Sequence, residues 1–288
     1  MRISSVFTGL VRGLFFALLL CFMVAAQAQD KGLLWKLEAP DGKTSYLFGT
    51  MHSDDRRVTD FPPSVMKALL DSEVFLMELQ PPQDPSVYLM EGRLDHMLTE
   101  QEFVEVIKLA DFHSMHTDIA TTMKPWLLAV IFDLPKPQTP YSQDAMLMSL
   151  AHGKSKTVRA LESVEEHFGV LDSFSIEDQL VMLRAVLKRS PEQRERNFEE
   201  LVKTYLSGDL DKIIEVNART SGDMLPDELW ARILKKLLDE RNVRMAERIV
   251  LQANESSVFV AVGAAHLPGE GGLLARLRSA GYQVSPVN

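Results

Sequence analysis

The sequence predicts an α/β fold: a mixed sheet formed by the N- and C-terminal segments, with a central helical insert over roughly residues 84–255. Three observations predict it. Short apolar runs with strand character concentrate near the two ends, whereas the middle reads as amphipathic helices punctuated by proline. The two ends also resemble each other. Gly49-Thr50-Met51-His52 follows the apolar run Tyr46-Leu47-Phe48, and Gly263-Ala264-Ala265-His266 follows Val258-Phe259-Val260-Ala261-Val262. A proline, a helical pattern and another apolar run come after each tetrad, a pattern compatible with an internal duplication that brings two imidazoles to one sheet edge.

The elements follow in order. Residues 1–28 read as a secretory leader, with Arg2 and Arg12 as its basic part, an apolar stretch from Leu14 to Ala25 and a small-residue cleavage site at Ala26-Gln27-Ala28. The alternative is an uncleaved anchor, for which the stretch is short. Cleavage there leaves residues 29–288 as one domain, periplasmic or secreted, and free of cysteine because Cys21 falls in the leader. Leu33 to Glu38 reads as a strand, Asp41-Gly42 as a hairpin turn and Thr44 to Phe48 as the return strand. Pro62-Pro63-Ser64 opens a helix through Leu70, and Val74 to Leu79 is a nearly continuous apolar run of the kind a buried strand shows.

From Pro85 to about Ala151 the pattern is helical, broken at Pro125 and at Pro135, Pro137 and Pro140. Thr157 to Glu162 reads as a further strand, with Ser163 or Ser173 as cap of the helices that follow. Ser175 to Lys188, Pro191 to Leu206 and Pro226 to Gln252 are amphipathic helices. Ser257 to Val262 is the strand before the second tetrad. Gly271 to Ala280 is a helix ending at Gly281, and Tyr282 to Val284 closes the fold.

Composition narrows the function. The formal net charge is −9, and removing the two leader arginines takes it to −11. No basic cluster is present, so nucleic acid is not an expected partner. A hydrophobic content of 46% is ample for a core, and no second apolar stretch predicts a membrane span in the mature chain. A phosphate loop, a nucleophile elbow and a dinucleotide fingerprint are all missing. Without a mature cysteine, a Cys nucleophile and a Cys-ligated zinc are excluded.

What remains is imidazole and carboxylate chemistry. In open α/β sheets ligands bind beyond the carboxyl ends of strands, where His52 and His266 are both expected. A histidine in such a place is otherwise a loop residue or a hydrogen-bonded core group. Glu78 stands near the end of an apolar strand, where a carboxylate is costly to bury unless paired or bound to a cation; alternatively it already points into solvent. Two imidazoles and one carboxylate would make an open site suited to Mn, Fe, Co or Zn. His113 and His116, at i, i+3 spacing without a zincin carboxylate, are expected to be surface helix residues. His96, His152 and His167 carry no pattern. Trp126 is expected in the core, and Lys124 could reach an anionic group. Arg241 is either a solvated helix charge or a substrate or oxyanion clamp. Asp144 and Glu162 are ambiguous, and Met146 and Met148 read as core filler.

The segments Tyr46 to His52, Glu78 after its strand, Lys124-Pro125-Trp126, Leu161-Glu162, Arg241-Asn242, Val262 to Gly269 and Gly281 to Val284 together resemble the TraB/GumN family, which includes the Tiki ectodomain proteases. The resemblance covers almost the whole mature chain. It implies a fold similar to erythromycin-esterase and ChaN-like proteins, and a metal-dependent hydrolase site with His52 and His266 as ligands. Glu78 would be a ligand or general base, and Arg241 a supporting or substrate group. It also implies metalloprotease chemistry supported by Mn or Co. The resulting expectation is an exported metal-dependent hydrolase, a peptidase above all, acting on a peptide or cell-envelope substrate. The alternatives are a non-catalytic haem, metal or envelope-ligand binding protein on the same scaffold, and a polysaccharide-associated accessory protein.

Overall fold

The computed structural model describes residues 31–287. The expected leader, and Cys21 with it, lies outside the described residues. Six strands, β1 (Leu34–Glu38), β2 (Thr44–Thr50), β3 (Val74–Met77), β4 (Thr157–Ala160), β5 (Val258–Gly263) and β6 (Gln283–Pro286), form one sheet in the order β4-β3-β5-β2-β1-β6. The pairs β4/β3, β3/β5 and β5/β2 are parallel, whereas β1 runs antiparallel to both β2 and β6. The sheet is therefore mixed, as expected. Its construction differs in one respect: β4 comes from the middle of the chain. The insert is thus not purely helical, because it returns to the sheet to cover the outer side of β3, an edge that would otherwise be unpaired.

β5 occupies the centre, and this explains its unbroken apolar sequence. A parallel strand between two neighbours is covered on both faces. Successive side chains alternate: Val258, Val260 and Val262 pack with Met245, Ile249 and Leu277 on one side, whereas Phe259 and Ala261 pack with Leu69, Leu147 and Ala151 on the other. The hairpin between β1 and β2 closes through Ala39 and Lys43, with Gly42 at φ +85°. A third apolar cluster, including Val106, Trp126, Phe132 and Leu183, lies within the helical insert.

Helix starts follow ordinary capping chemistry. Pro63, Pro125 and Pro191 occupy first-turn positions, and Ser163 and Ser190 form capping boxes with Glu166 and Gln193. Ser175, rather than Ser173, caps Ile176–Leu187. The single helix expected from Pro226 to Gln252 is interrupted. Asp227–Leu234 passes through a π-helical turn, Lys235–Glu240, into Arg241–Glu255. A π turn carries an extra residue and so re-aims every side chain after it. Arg241, the first residue beyond this turn, points into the sheet edge rather than into solvent. Among the described residues no helix is long and apolar enough to cross a membrane.

Candidate metal and hydrolase site

The carboxyl ends of β2, β3 and β5 lie side by side, with Thr50 paired to Gly263 and Met77 to Ala261. Each strand delivers one of the expected residues just past its end: His52, Glu78 and His266. They converge. A methyl group placed on Gly263 would lie 3.3 Å from Glu78 Oε1, 3.7 Å from His266 Cδ2 and 3.8 Å from His52 Nε2. His266 Nε2 is 3.7 Å from Glu78 Oε1. The glycine is needed here for close approach, not for a left-handed backbone, since its φ is −51°.

Both imidazoles are oriented through Nδ1. The Asn242 amide donates from Nδ2 to the Gly271 carbonyl at 3.0 Å, which turns its Oδ1 toward His266 Nδ1 at 2.7 Å. His266 must then carry its proton on Nδ1 and present a bare Nε2. Burial pushes the His266 pKa down to about 4, against the opposing pull of Glu78, so the ring is neutral near neutral pH. His52 Nδ1–H donates to Asp144 Oδ2 at 2.8 Å, and Asp144 Oδ1 accepts from Thr50 Oγ1 at 2.7 Å. The negative charge of Asp144 raises the His52 pKa. The side chain of His52 is 64% exposed, whereas that of His266 is 5% exposed.

Glu78 is buried and doubly held. Its Oε1 accepts from the Gly263 N–H at 2.6 Å, and its Oε2 accepts from Arg241 Nη2. Burial alone would raise its pKa, but in the acid range where it titrates the charges of His266, there protonated, and of Arg241 outweigh this and hold the carboxyl well below its usual range. Arg241 also donates from Nε and Nη2 to Glu162 Oε2 at 2.9 and 2.7 Å. His167 Nδ1 lies 3.1 Å from both Glu162 Oε2 and Arg241 Nη2. Glu162 titrates at about 2, its burial overcome by His167 and Arg241. Glu78, Glu162 and His167 thus form a buried acidic and imidazole cluster whose ligand atoms lie within 4.8 Å of one another. The guanidinium of Arg241 bridges all three, so this grouping already contains a cation. Neither Arg241 nor Glu162 is a solvated surface charge.

The other candidates separate. Lys124 Nζ and Trp126 Nε1 both donate to Asp172, at 2.7 and 2.8 Å, which anchors Trp126 in the wall of the site cavity and occupies Lys124. His116 is exposed, as expected. His113 is not a simple surface residue: it stacks on Phe132 with ring centroids 5.7 Å apart, and its Nε2 is buried without a hydrogen-bond partner. The two do not share a ligand geometry, since His113 ends one helix and His116 precedes the next.

Several site residues carried no sequence signal. His167 sits five residues past Glu162 in an ordinary amphipathic helix. Gln143 accepts from the Met51 N–H at 2.8 Å and donates to the Val58 carbonyl, while the Tyr205 hydroxyl donates to the Gly49 carbonyl at 2.8 Å. Together they hold the loop carrying His52. The neighbouring pair Gln143-Asp144 could be found only by knowing that its helix start faces the end of β2.

The TraB/PrgY/gumN family model matches residues 33–286. Metalloprotease TIKI2 of Danio rerio is 26% identical over 327 residues, covering 92% of this chain and 62% of its own length. Metalloprotease TIKI1 of the same fish is 23% identical over 322 residues, 92% and 65% respectively, and human Metalloprotease TIKI1 is 22% identical over 324 residues. The chain thus spans a little under two thirds of these relatives' length. An uncharacterized protein of Treponema pallidum is 22% identical over 257 residues, 80% of this chain.

Proposed function

The chain belongs to the TraB/PrgY/gumN family, and from that premise and the site geometry we propose that it is a metal-dependent hydrolase acting on peptide bonds, working in the periplasm or after secretion. The observation that carries the reading is the convergence of His52, Glu78 and His266 around Gly263. The donor types suit a divalent ion, and of the three, Glu78 and His266 already face each other with ligand atoms 3.7 Å apart. Both imidazoles are fixed by hydrogen bonds at Nδ1; neutral His266 offers its Nε2, His52 would release its Nε2 proton on binding the ion, and Glu78 is ionised. Mn, Co, Zn or Fe are compatible with two nitrogens and a carboxylate oxygen. When bound, such an ion supplies Lewis-acid polarisation of a carbonyl and makes water a better nucleophile near neutral pH.

The chain's own residues do the rest. Asp144 and Asn242 fix the two ring planes. Arg241, through its bond to Oε2, keeps Glu78 charged and aims Oε1 toward the imidazoles; it acts as a positioning residue rather than an exposed oxyanion clamp. Glu78 Oε1 is the atom placed to ligate the ion or to accept a proton from an attacking water. The cavity against these groups is about 390 Å³, within the range of small-ligand sites.

The test is metal content and peptide hydrolysis of the wild type, His52→Ala and His266→Ala. Loss of bound metal together with a fall in activity of about a thousandfold or more is expected for each, on the order of removing an essential catalytic group. Unchanged metal and activity in either variant would reject the assignment.

A further inference from the structure

A second cavity, about 410 Å³, adjoins the site cavity within the helical insert. The two share wall residues, among them Trp126, Leu171, Leu201, Asn217, Leu237 and Ala265. Ala265 directly precedes His266, and Leu237 lies in the π turn whose carbonyl accepts from Arg241 Nη1. The second cavity therefore abuts the site cavity across these shared side chains. Its deeper wall is made of large apolar side chains, including Met182, Phe198, Trp230 and Ile233. The ring of Trp230 lies flat against Gly222, where a Cβ would meet it at 2.7 Å, so the indole is seated by the absence of a side chain there. The charged pair in the wall, Arg189 and Asp133, is mutually neutralised by a bond of 2.6 Å.

Resting on the hydrolase reading above, we infer that this cavity is a specificity pocket for a large apolar side chain, aromatic or long aliphatic, borne by the peptide next to the bond that is cut. Three features argue for that occupant. The pocket lies against the cavity that holds the histidine and glutamate edge, with Ala265 in both walls, so a side chain filling it sits beside the group presented there. Its volume exceeds what a methyl or hydroxyl needs. Its walls offer apolar surface and no unneutralised charge, which favours transfer of an apolar group from water and opposes a charged one. Residues 52, 78 and 266 would then perform the hydrolysis, and the insert would choose which peptide is presented.

The experiment uses the full chain with added Mn²⁺. The fluorescent apolar probe 8-anilinonaphthalene-1-sulfonate is excited by energy transfer from Trp126 and Trp230, which line the pocket; Trp35, the third tryptophan, is buried in the sheet core. Acetyl-Ala-Phe-Ala amide should displace the probe at a concentration at least about tenfold lower than acetyl-Ala-Ala-Ala amide, a difference typical of an apolar pocket. Ala218→Phe, which fills the pocket from the helix Leu210–Gly222, should remove that preference, and Ser221→Phe on the same helix should do likewise. Circular dichroism checks that both fold. In quenched peptides, cleavage should favour Phe or Leu over Ala beside the cut bond by at least about tenfold, and Ala218→Phe should erase that preference. Equal displacement by the two peptides, or a preference untouched by both substitutions, would overturn the pocket. Selective displacement without cleavage of any peptide would keep the pocket and reject the hydrolase. Cleavage indifferent to the flanking residue would keep the hydrolase and reject the pocket.

Discussion

The two Gly-x-x-His tetrads look interchangeable as sequence and behave as opposites in the fold. Gly49 lies inside β2, where a Cβ would stand 3.0 Å from the Ala264 Cα, so its glycine permits the second tetrad to pack against the first. Gly263 ends β5, where a Cβ would intrude among Glu78, His266 and His52, so its glycine keeps the space between those side chains open. His52 is open to solvent and anchored by the carboxylate of Asp144, which favours the imidazolium. His266 is buried and anchored by the neutral amide of Asn242, with burial favouring the neutral ring. A repeated motif thus specifies a repeated backbone exit from a strand, and the neighbours decide what each copy does.

Exchanging the histidines is the harshest way to probe this contrast. Beyond the shared loss of activity, His266→Ala should lower stability by about 1–3 kcal/mol in urea unfolding, because it strips a partner from buried Asn242 and Glu78. His52→Ala, at an exposed position, should stay within about 0.5 kcal/mol of wild type. Equal destabilisation by both would erase the distinction. The anchors come next. Asp144→Ala and Asn242→Ala should each weaken metal affinity by about 10–100-fold in competition with a chelator, since each frees one ring to rotate. An unaltered affinity in both would mean that the rings are held by something else.

The glycines sharpen the comparison further. Gly49→Ala should cost about 1–3 kcal/mol, because its Cβ meets backbone that cannot easily move. Gly263→Ala should lose activity while its melting curve stays close to wild type, because its Cβ meets the Glu78 carboxylate and two ring edges instead. The reverse pattern would exchange the roles assigned to them. The smallest effect lies away from both tetrads. Glu166 titrates at about 2 because Arg248 and the Ser163 N–H hold its charged form. Its folded pKa is below the ordinary value of 4.5, so its contribution is complete above that pH and is lost as pH falls through about 2. Because the pair is partly exposed, Glu166→Gln should flatten the acid limb of thermal stability by well under about 1 kcal/mol.

The strand framework was legible because β5 and the β1–β2 hairpin carry local patterns: a fully apolar run and an Asp41-Gly42 turn. The placement of His52, Glu78 and His266 just past adjacent strand ends was legible for the same reason, since each follows a readable strand. The sheet order was not, because the placement of β4 beside β3 depends on pairing across the helices and loops between Met77 and Thr157. The π turn left no mark, as Lys235 to Glu240 continues an ordinary helical composition. Gln143, Tyr205 and His167 matter through contacts made far along the chain, and no local spacing announces them. The expected likeness to erythromycin-esterase and ChaN-like folds remains an implication of family resemblance, beside a sheet order the sequence did not contain.

The central seat of β5 has a consequence for synthesis. Until Val258–Gly263 fills the place between them, nothing joins β2 to β3, and neither His52 nor Glu78 has its counterpart. A nascent chain on the ribosome therefore emerges through most of its length before these three side chains share one sheet edge. A product truncated before β5 lacks both His266 and the strand that sets His52 beside Glu78.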